Sequence, residues 1–211
     1  MYALGPLTIL LIALPATAAP KKTCGPVTVS DTQIQVEGGA TIPLPQPRKS
    51  EILEALDVAL SSKCPEVVVT IAPSVLYKAA FPALNTIVQH STVGARVVSA
   101  AADAPIKLAA GLGAASINVV NVDLTDNEIR FRLLLGGEMP KRSSPLGQLA
   151  LPIARNDLDA LAKRLDALIA ALPKGSILYV GSVASVPFSE LRGVLLVAQT
   201  RFPQLRLSWI E

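Results

Sequence analysis

Two stretches of this chain carry one apolar pattern. Ile52 to Leu60 read I-L-E-A-L-D-V-A-L, and Leu161 to Ile169 read L-A-K-R-L-D-A-L-I. Ile52 lies 109 residues before Leu161, and Leu60 the same 109 before Ile169. At that spacing Ile52, Leu53, Leu56, Ala59 and Leu60 fall on Leu161, Ala162, Leu165, Leu168 and Ile169, apolar in both copies. A matched helical face at one offset points to an internal duplication, so the chain has to be read as two copies of a small unit. Two units of roughly 80 residues each would bury modest cores. Contact between the copies, a disulfide or a homodimer would add stability. With aromatics at 4%, those cores have to be aliphatic.

The elements repeat as well. In the first copy Val27-Thr28-Val29 and Gln33-Ile34-Gln35-Val36 alternate apolar and polar around a Ser30-Asp31-Thr32 turn, as half-buried strands do. Gly38-Gly39 makes a second turn before a short extended piece from Ala40 to Leu44. Prolines 43, 45 and 47 stop it. Ser50 and Glu51 suit a helix start, with the helix running to about Ser62. Val67 to Ile71 reads as a central strand. A second helix covers about Leu76 to His90, with Pro82 expected to kink it or displace its start. Gly94 reads as its stop and Arg96 to Val98 as the closing strand. The second copy follows suit. It has strands at Ile117–Val122 and Glu128–Leu135, and an insertion from Gly136 to Ala154. A helix capped by Asn156 or Asp157 runs to about Ala171, followed by a strand at Ser176–Val180. A second helix spans Pro187 to Thr200 and a closing strand Leu205 to Ile210. Tyr77 and Phe188 correspond at 111, a two-residue length change from the first offset, and Ser99 and Ser208 again at 109. The expectation is an α+β protein of two tandem ββαβαβ two-layer domains, helices on one face of a mixed sheet. They span residues 24–99 and 116–211, joined by an Ala/Gly-rich linker over 100–115 in which Ile106 and Leu108 are available to pack.

Leu4 to Ala19 is uncharged and apolar. About 16 residues make roughly 24 Å of helix, short of the roughly 20 residues of a membrane span. Ala16-Thr17-Ala18 supplies a small-x-small cleavage pattern before Ala19. Residues 1–18 therefore read as a signal peptide, with a short membrane anchor as the alternative. The charge pattern is unusual for either: no Lys or Arg precedes the apolar core, and Lys21 and Lys22 follow it. Export makes the two cysteines, Cys24 and Cys64, a candidate disulfide, and two free buried thiols are the other reading. The bridge would close a loop of about 40 residues, and it cannot be essential to the fold, since the second copy has no cysteine.

A net charge of +3 on 211 residues, with basic residues scattered, argues against nucleic acid as a partner. The catalytic inventory is thin. His90 is the only histidine, near a helix end, where it suits a surface or capping role. One His and two distant Cys do not make a zinc set, and no G-x-S-x-G occurs. Gly111-Leu112-Gly113 lacks the Gly-Lys-Ser/Thr of a phosphate loop. Asp57 and Asp166 recur at one helix position, as an exposed face or local ion pair, or as a shared partner contact. The sequence calls for no enzyme activity, no metal and no cofactor.

V-T-V-S-D-T-Q-I-Q-V, E-I-L-E-A-L-D-V-A-L and V-V-V-T-I-A-P-S-V-L-Y, with S-I-L-Y-V-G-S-V-A-S-V-P-F-S-E-L in the second copy, resemble the periplasmic domain of the ExbD/TolR biopolymer-transport family. Val75 to Tyr77 and Val186 to Phe188 look like that family's V-P-Y-like helix entry. The resemblance implies a periplasmic or secreted cell-envelope protein that binds or scaffolds an envelope protein or a cell-wall polymer, with membrane contact only through an uncleaved N-terminal segment. Strand addition at an exposed sheet edge is one binding mode consistent with that implication. The alternative it implies is a membrane-anchored, inner-membrane accessory subunit of a proton-motive-force-driven transport system. The family couples through an Asp in a membrane helix, whereas Leu4–Ala19 has no acidic residue and Asp31 is the first in the chain. The family's charged turn after the central strand is replaced by Ala72-Pro73-Ser74 and Gly181-Ser182. The resemblance therefore points to a relative without the motor part.

Overall fold

The structure is a computed structural model that describes residues 24–44, 53–61, 63–98, 104–110 and 118–210. The expected signal segment, residues 1–18, lies outside them. So do Ser50, Glu51 and Ser99, the ends of the linker region, and Gly111 to Gly113. Among the described residues no helix is long and apolar enough to cross a membrane.

The first half contains β1 (Val27–Val29), β2 (Gln33–Val36), β3 (Thr41–Pro43), α1 (Glu54–Ala59), β4 (Cys64–Ile71), α2 (Tyr77–His90), β5 (Ser91–Val98) and β6 (Ile106–Ala109). The second contains β7 (Asn118–Leu124), β8 (Glu128–Leu135), α3 (Pro145–Leu149), β9 (Ile153–Ala154), α4 (Leu158–Ala171), β10 (Ile177–Ser182), α5 (Phe188–Gln199) and β11 (Leu205–Trp209). The sheets run β3-β2-β1-β4-β5-β6 and β9-β8-β7-β10-β11, so the same topology is built twice with one strand added to the first. In both, an antiparallel hairpin leads into parallel crossovers: β1 pairs β2 antiparallel and β4 parallel, and β7 treats β8 and β10 likewise. This is the expected α+β class, two two-layer units in tandem.

Register shows how the copies align. Val27 opposes Val36 and Val69 in the first sheet, as Val122 opposes Phe131 and Val180 in the second. The hairpins therefore correspond at 95 residues, Val27 to Val122, and the central strands at 111, Val69 to Val180. The change falls in the insertion of the second copy, which folds as α3 before Ile153 of β9 takes the place of Ile42. The closing strands correspond at 110, Val97 to Leu207, not at the expected 109.

Alternation puts Val27, Val29, Ile34, Val36, Val67 and Val69 on the helix side of the first sheet, each at most 1% exposed. Leu56 and Ala59 of α1 meet them as Leu165 and Leu168 of α4 meet Val120, Val122 and Val180, all fully buried or nearly so. Each such leucine contributes roughly 2 kcal/mol by leaving water. The helical repeat holds at these two positions and fails at its end. Leu60 is fully buried, but Ile169 is 42% exposed. α1 stops at Ala59, so Leu60 turns inward in extended conformation, whereas α4 continues and carries Ile169 onto its outer face. The helix expected to reach Ser62 is thus shorter than its pattern.

Two further expectations are corrected, and a third is narrowed. The region read as a linker, 100–115, contains β6, antiparallel to β5, with Ile106 and Leu108 buried. Gly94 is not a helix stop but a residue of β5: at φ +134° its missing Cβ would lie 1.9 Å from the Leu108 carbonyl oxygen, so only glycine lets β6 approach. Pro82 lies inside α2, which still begins at Tyr77. The Thr86 hydroxyl donates to the Pro82 carbonyl at 2.8 Å and accepts from the Leu53 amide at 2.9 Å, so α2 also tethers the start of α1.

Candidate functional site

Of the residues singled out by sequence, Cys24 and Cys64 are joined in a disulfide with Cα atoms 5.5 Å apart. It pins the segment before β1 to the start of β4. Asp57 meets His90 at 2.7 Å, and Asp166 meets Arg201 at 2.7 and 3.1 Å, with Arg201 lying 111 residues after His90. The recurring aspartates therefore make matched side-chain pairs linking the first helix of each half to the end of its second, the reading of Asp57 and Asp166 as local pairs. His90 is no surface cap. Its Nε2 lies on Asp57, its Nδ1 3.3 Å from the Ser61 carbonyl, and its side chain is 14% exposed. The Arg201 hydrogen bond, with its charge, holds the Asp166 carboxyl below the usual aspartate range. Among the described residues no three His, Cys, Asp or Glu side chains gather as metal ligands.

Backbone hydrogen bonds join the halves at the opposite end of the central strands, where only the helix-entry motif was legible in the sequence. Ala72 to Leu76 and Val183 to Pro187 are the loops that lead from β4 into α2 and from β10 into α5. The Tyr77 amide donates to the Val186 carbonyl at 2.8 Å, and the Phe188 amide to Val75 at 2.7 Å. Lys78 donates to Ala184 at 3.3 Å, and Ser189 to Pro73 at 3.2 Å. Every pair is matched by its counterpart 111 residues on, and Leu76 faces Pro187 antiparallel at the centre. This is an isologous contact, the geometry of a two-fold dimer, made within one chain. Each loop is braced by its own hairpin turn: Ser74 donates to Asp31 at 2.6 Å and Ser185 to Asp126 at 3.2 Å.

The seam is asymmetric in its side chains. Tyr77, fully buried, donates its hydroxyl to the Ser208 carbonyl of the second half and stacks on Trp209 at 5.8 Å, with Phe81 5.5 Å from the same indole. Burial, and then the charge of Asp123, push the Tyr77 phenol well above its ordinary pKa. Asp123 is buried on β7 with Arg132 Nε 2.8 Å from one oxygen. Below the seam, α2 contributes Leu84, Asn85, Val88 and Gln89 to a cavity of about 60 Å³, facing Leu108 and Ala109 of β6 and Tyr179, Arg206 and Leu207 of the second sheet.

Among the surfaces open to partners are the sheet faces away from the packed helices and the outer edges. The edges are poor templates. β3 has three residues and ends on Pro43, and β9 has two, directly after Pro152. Strand addition, expected as a binding mode, has little backbone to pair with there. The face of the second sheet away from α4 and α5 is broader: α2 and β6 cover its β11 edge, and at the other end Arg130 and Arg132, side chains 62% and 57% exposed, pair with Glu128 at 2.6 Å and Asp123 at 2.8 Å. Compared with protein-family models and with curated proteins, the chain matches none.

Proposed function

We propose that this chain is a non-enzymatic binding or scaffold protein of the cell envelope, exported to the periplasm and built from a duplicated ExbD/TolR-like periplasmic domain. The observation that supports this reading best is the reciprocal seam. Paired backbone hydrogen bonds join two lobes of one topology through matching loops, and a polar sheet face bearing Arg130 and Arg132 is left outward. Such a body suits holding a partner in a set geometry. The Cys24–Cys64 bridge supports an oxidising compartment. Arg130 and Arg132, bound through Nε to Glu128 and Asp123 yet more than half exposed, offer their remaining N–H groups to the carboxylates of a cell-wall polymer or an acidic protein surface. In this role Arg130 and Arg132 make the contact, and the disulfide keeps the first lobe folded outside the cytoplasm.

The test combines location with contact. Osmotic shock should release the protein with its cysteines resistant to alkylation, and a photo-crosslinker at position 130 should capture an envelope component that one at position 166, on α4, does not. Recovery from the cytosol with both thiols free would overturn the proposal. Recovery only in the membrane pellet, with residues 1–18 retained, would shift it to the anchored transport subunit.

A further inference from the structure

The cavity between the halves holds a group that the fold leaves unsatisfied. Arg206 is 8% exposed on β11, and its Nε is buried with no hydrogen-bond partner. No carboxylate among the described residues forms an ion pair with it. Asp123, the buried acid on the same sheet face, is engaged by Arg132. A guanidinium whose Nε is shut off from water with neither a hydrogen bond nor a counter-charge leaves a buried donor uncompensated, which a ligand bringing an acceptor would relieve. The groups around Arg206 are neutral: Asn85, Gln89 and Tyr179 are polar, and Leu84, Val88, Leu108 and Leu207 are apolar. Lys107 alternates away from Leu108 and is exposed. Of the lining residues Gln89 is the exposed one.

We infer that this cavity is a binding site for a carboxylate, received by Arg206 from between α2, β6 and β10–β11. One guanidinium in neutral surroundings balances one negative charge, which favours a monoanion over a phosphate dianion. The planar fork matches the two carboxylate oxygens. A volume of about 60 Å³ accommodates a carboxylate with one or two carbons, and the apolar lining suits the rest of a short organic acid or the last residue of a peptide. Because the walls come from both halves, the bound acid would also tie them together.

The test is NMR of the full chain with the arginine Nε–H groups observed. Acetate should shift the Arg206 signal saturably, while acetamide, of the same shape but uncharged, should bind at least about tenfold more weakly. The tripeptide Ala-Ala-Leu with a free C-terminus separates the two sources. Tighter binding than acetate assigns a chain terminus, and weaker binding a free organic acid. Arg206→Met should abolish the response and melt at or above the wild-type temperature, since it removes a buried Nε–H that has no partner. Absence of saturation by either acid, equal response to acetamide or to amidated Ala-Ala-Leu, or preference for inorganic phosphate would overturn the proposal. So would a clear loss of stability in Arg206→Met, which would make the arginine structural. Should that variant not fold, the acid-against-amide comparison on the wild-type chain and Arg206→Lys still decides the matter.

Discussion

The two halves reach one topology by different means. The first has a first helix of 6 residues with no side-chain cap, and the second has one of 14 residues capped by Asp157, whose carboxylate accepts from the Ala160 amide at 2.8 Å. What the first half lacks in helix it replaces with tertiary fixtures: the disulfide before β4, Thr86 reaching across from α2 to the Leu53 amide, and the added edge strand β6. The position of Thr86 is taken by Val197 in the second half, where residue 162, the counterpart of Leu53, sits inside a helix and needs no outside acceptor. A short element in a duplicated fold is thus sustained by side chains from its neighbours, and a long one sustains itself.

Breaking the disulfide should separate the halves most clearly. In the chain-entropy account a bridge spanning 40 residues is worth about 4 kcal/mol. Cys24→Ala with Cys64→Ala should therefore lower stability by roughly 2–5 kcal/mol. Hydrogen exchange should show β1, β4 and α1 opening before β7, β10 and α4. Equal loss of protection in both halves would mean that the seam makes them one cooperative unit, and the contrast drawn above would not hold.

Next in size are the two ways of securing the first helix. Thr86→Val keeps the shape but leaves the Leu53 amide without its acceptor, a cost of about 2 kcal/mol. Asp157→Ala removes a cap from a helix with three further turns, a cost of about 1 kcal/mol. Chemical denaturation of the two single variants checks the order. If Asp157→Ala were the more damaging, the longer helix would depend on its cap as much as the shorter one depends on its neighbour.

These differences explain what the sequence could and could not reveal. Alternation at Val27–Val29 and Gln33–Val36, and the leucines shared by α1 and α4, state which face is buried, so the element order and the α+β class were readable. The ends were not. Leu60 and Ile169 have the same apolar character, and only the point where each helix stops decides which is buried. β6 was hidden because four residues among alanines carry little pattern, and the glycine that admits it, Gly94, has the signature of a helix stop. The seam was hidden for a more general reason. It is made of backbone amides and carbonyls, which every residue has. Arg206 looks like the solvent-facing member of an alternating L-R-L-S-W strand, and only α2 and β6 arriving from the other half turn it inward. Cys24 and Cys64 were legible as a pair because disulfide chemistry has one residue type and the chain has two of them.

Tyr77→Phe makes the seam side chains alike, since Phe188 holds the matching place. The loss is one buried hydroxyl-to-carbonyl bond, about 1 kcal/mol at neutral pH. The larger signature is in base. The folded state holds the Tyr77 proton above its ordinary pKa, so the folded protein binds more protons than the unfolded chain once tyrosine begins to ionise. Stability from this group is complete below about pH 10 and lost as pH rises further. Wild-type protein should therefore lose stability faster than Tyr77→Phe above that pH, by melting temperature. Parallel curves would mean that the phenol is not sealed in the seam.

The smallest effect concerns the matched side-chain pairs. Arg201 is charged at every accessible pH and grips Asp166 through two nitrogens, whereas His90 offers Asp57 a full charge only when protonated. Asp166 has its folded pKa lowered, chiefly by the Arg201 hydrogen bond. Its contribution is therefore present above the unfolded aspartate pKa of about 3.9 and lost as pH falls through the lower folded value. The carboxylate is exposed to solvent, so screening keeps the effect on stability slight, and a melting curve is the wrong instrument. The carboxyl carbon of Asp166 followed by NMR is the right one. Its midpoint should lie below the ordinary aspartate value in wild-type protein and return to it in Arg201→Met. If the wild-type midpoint is ordinary, the pair does not persist in solution. In the second half α4 and the end of α5 would then be tied only by their apolar faces, leaving Asp166 a relic of the duplication rather than a working part of it.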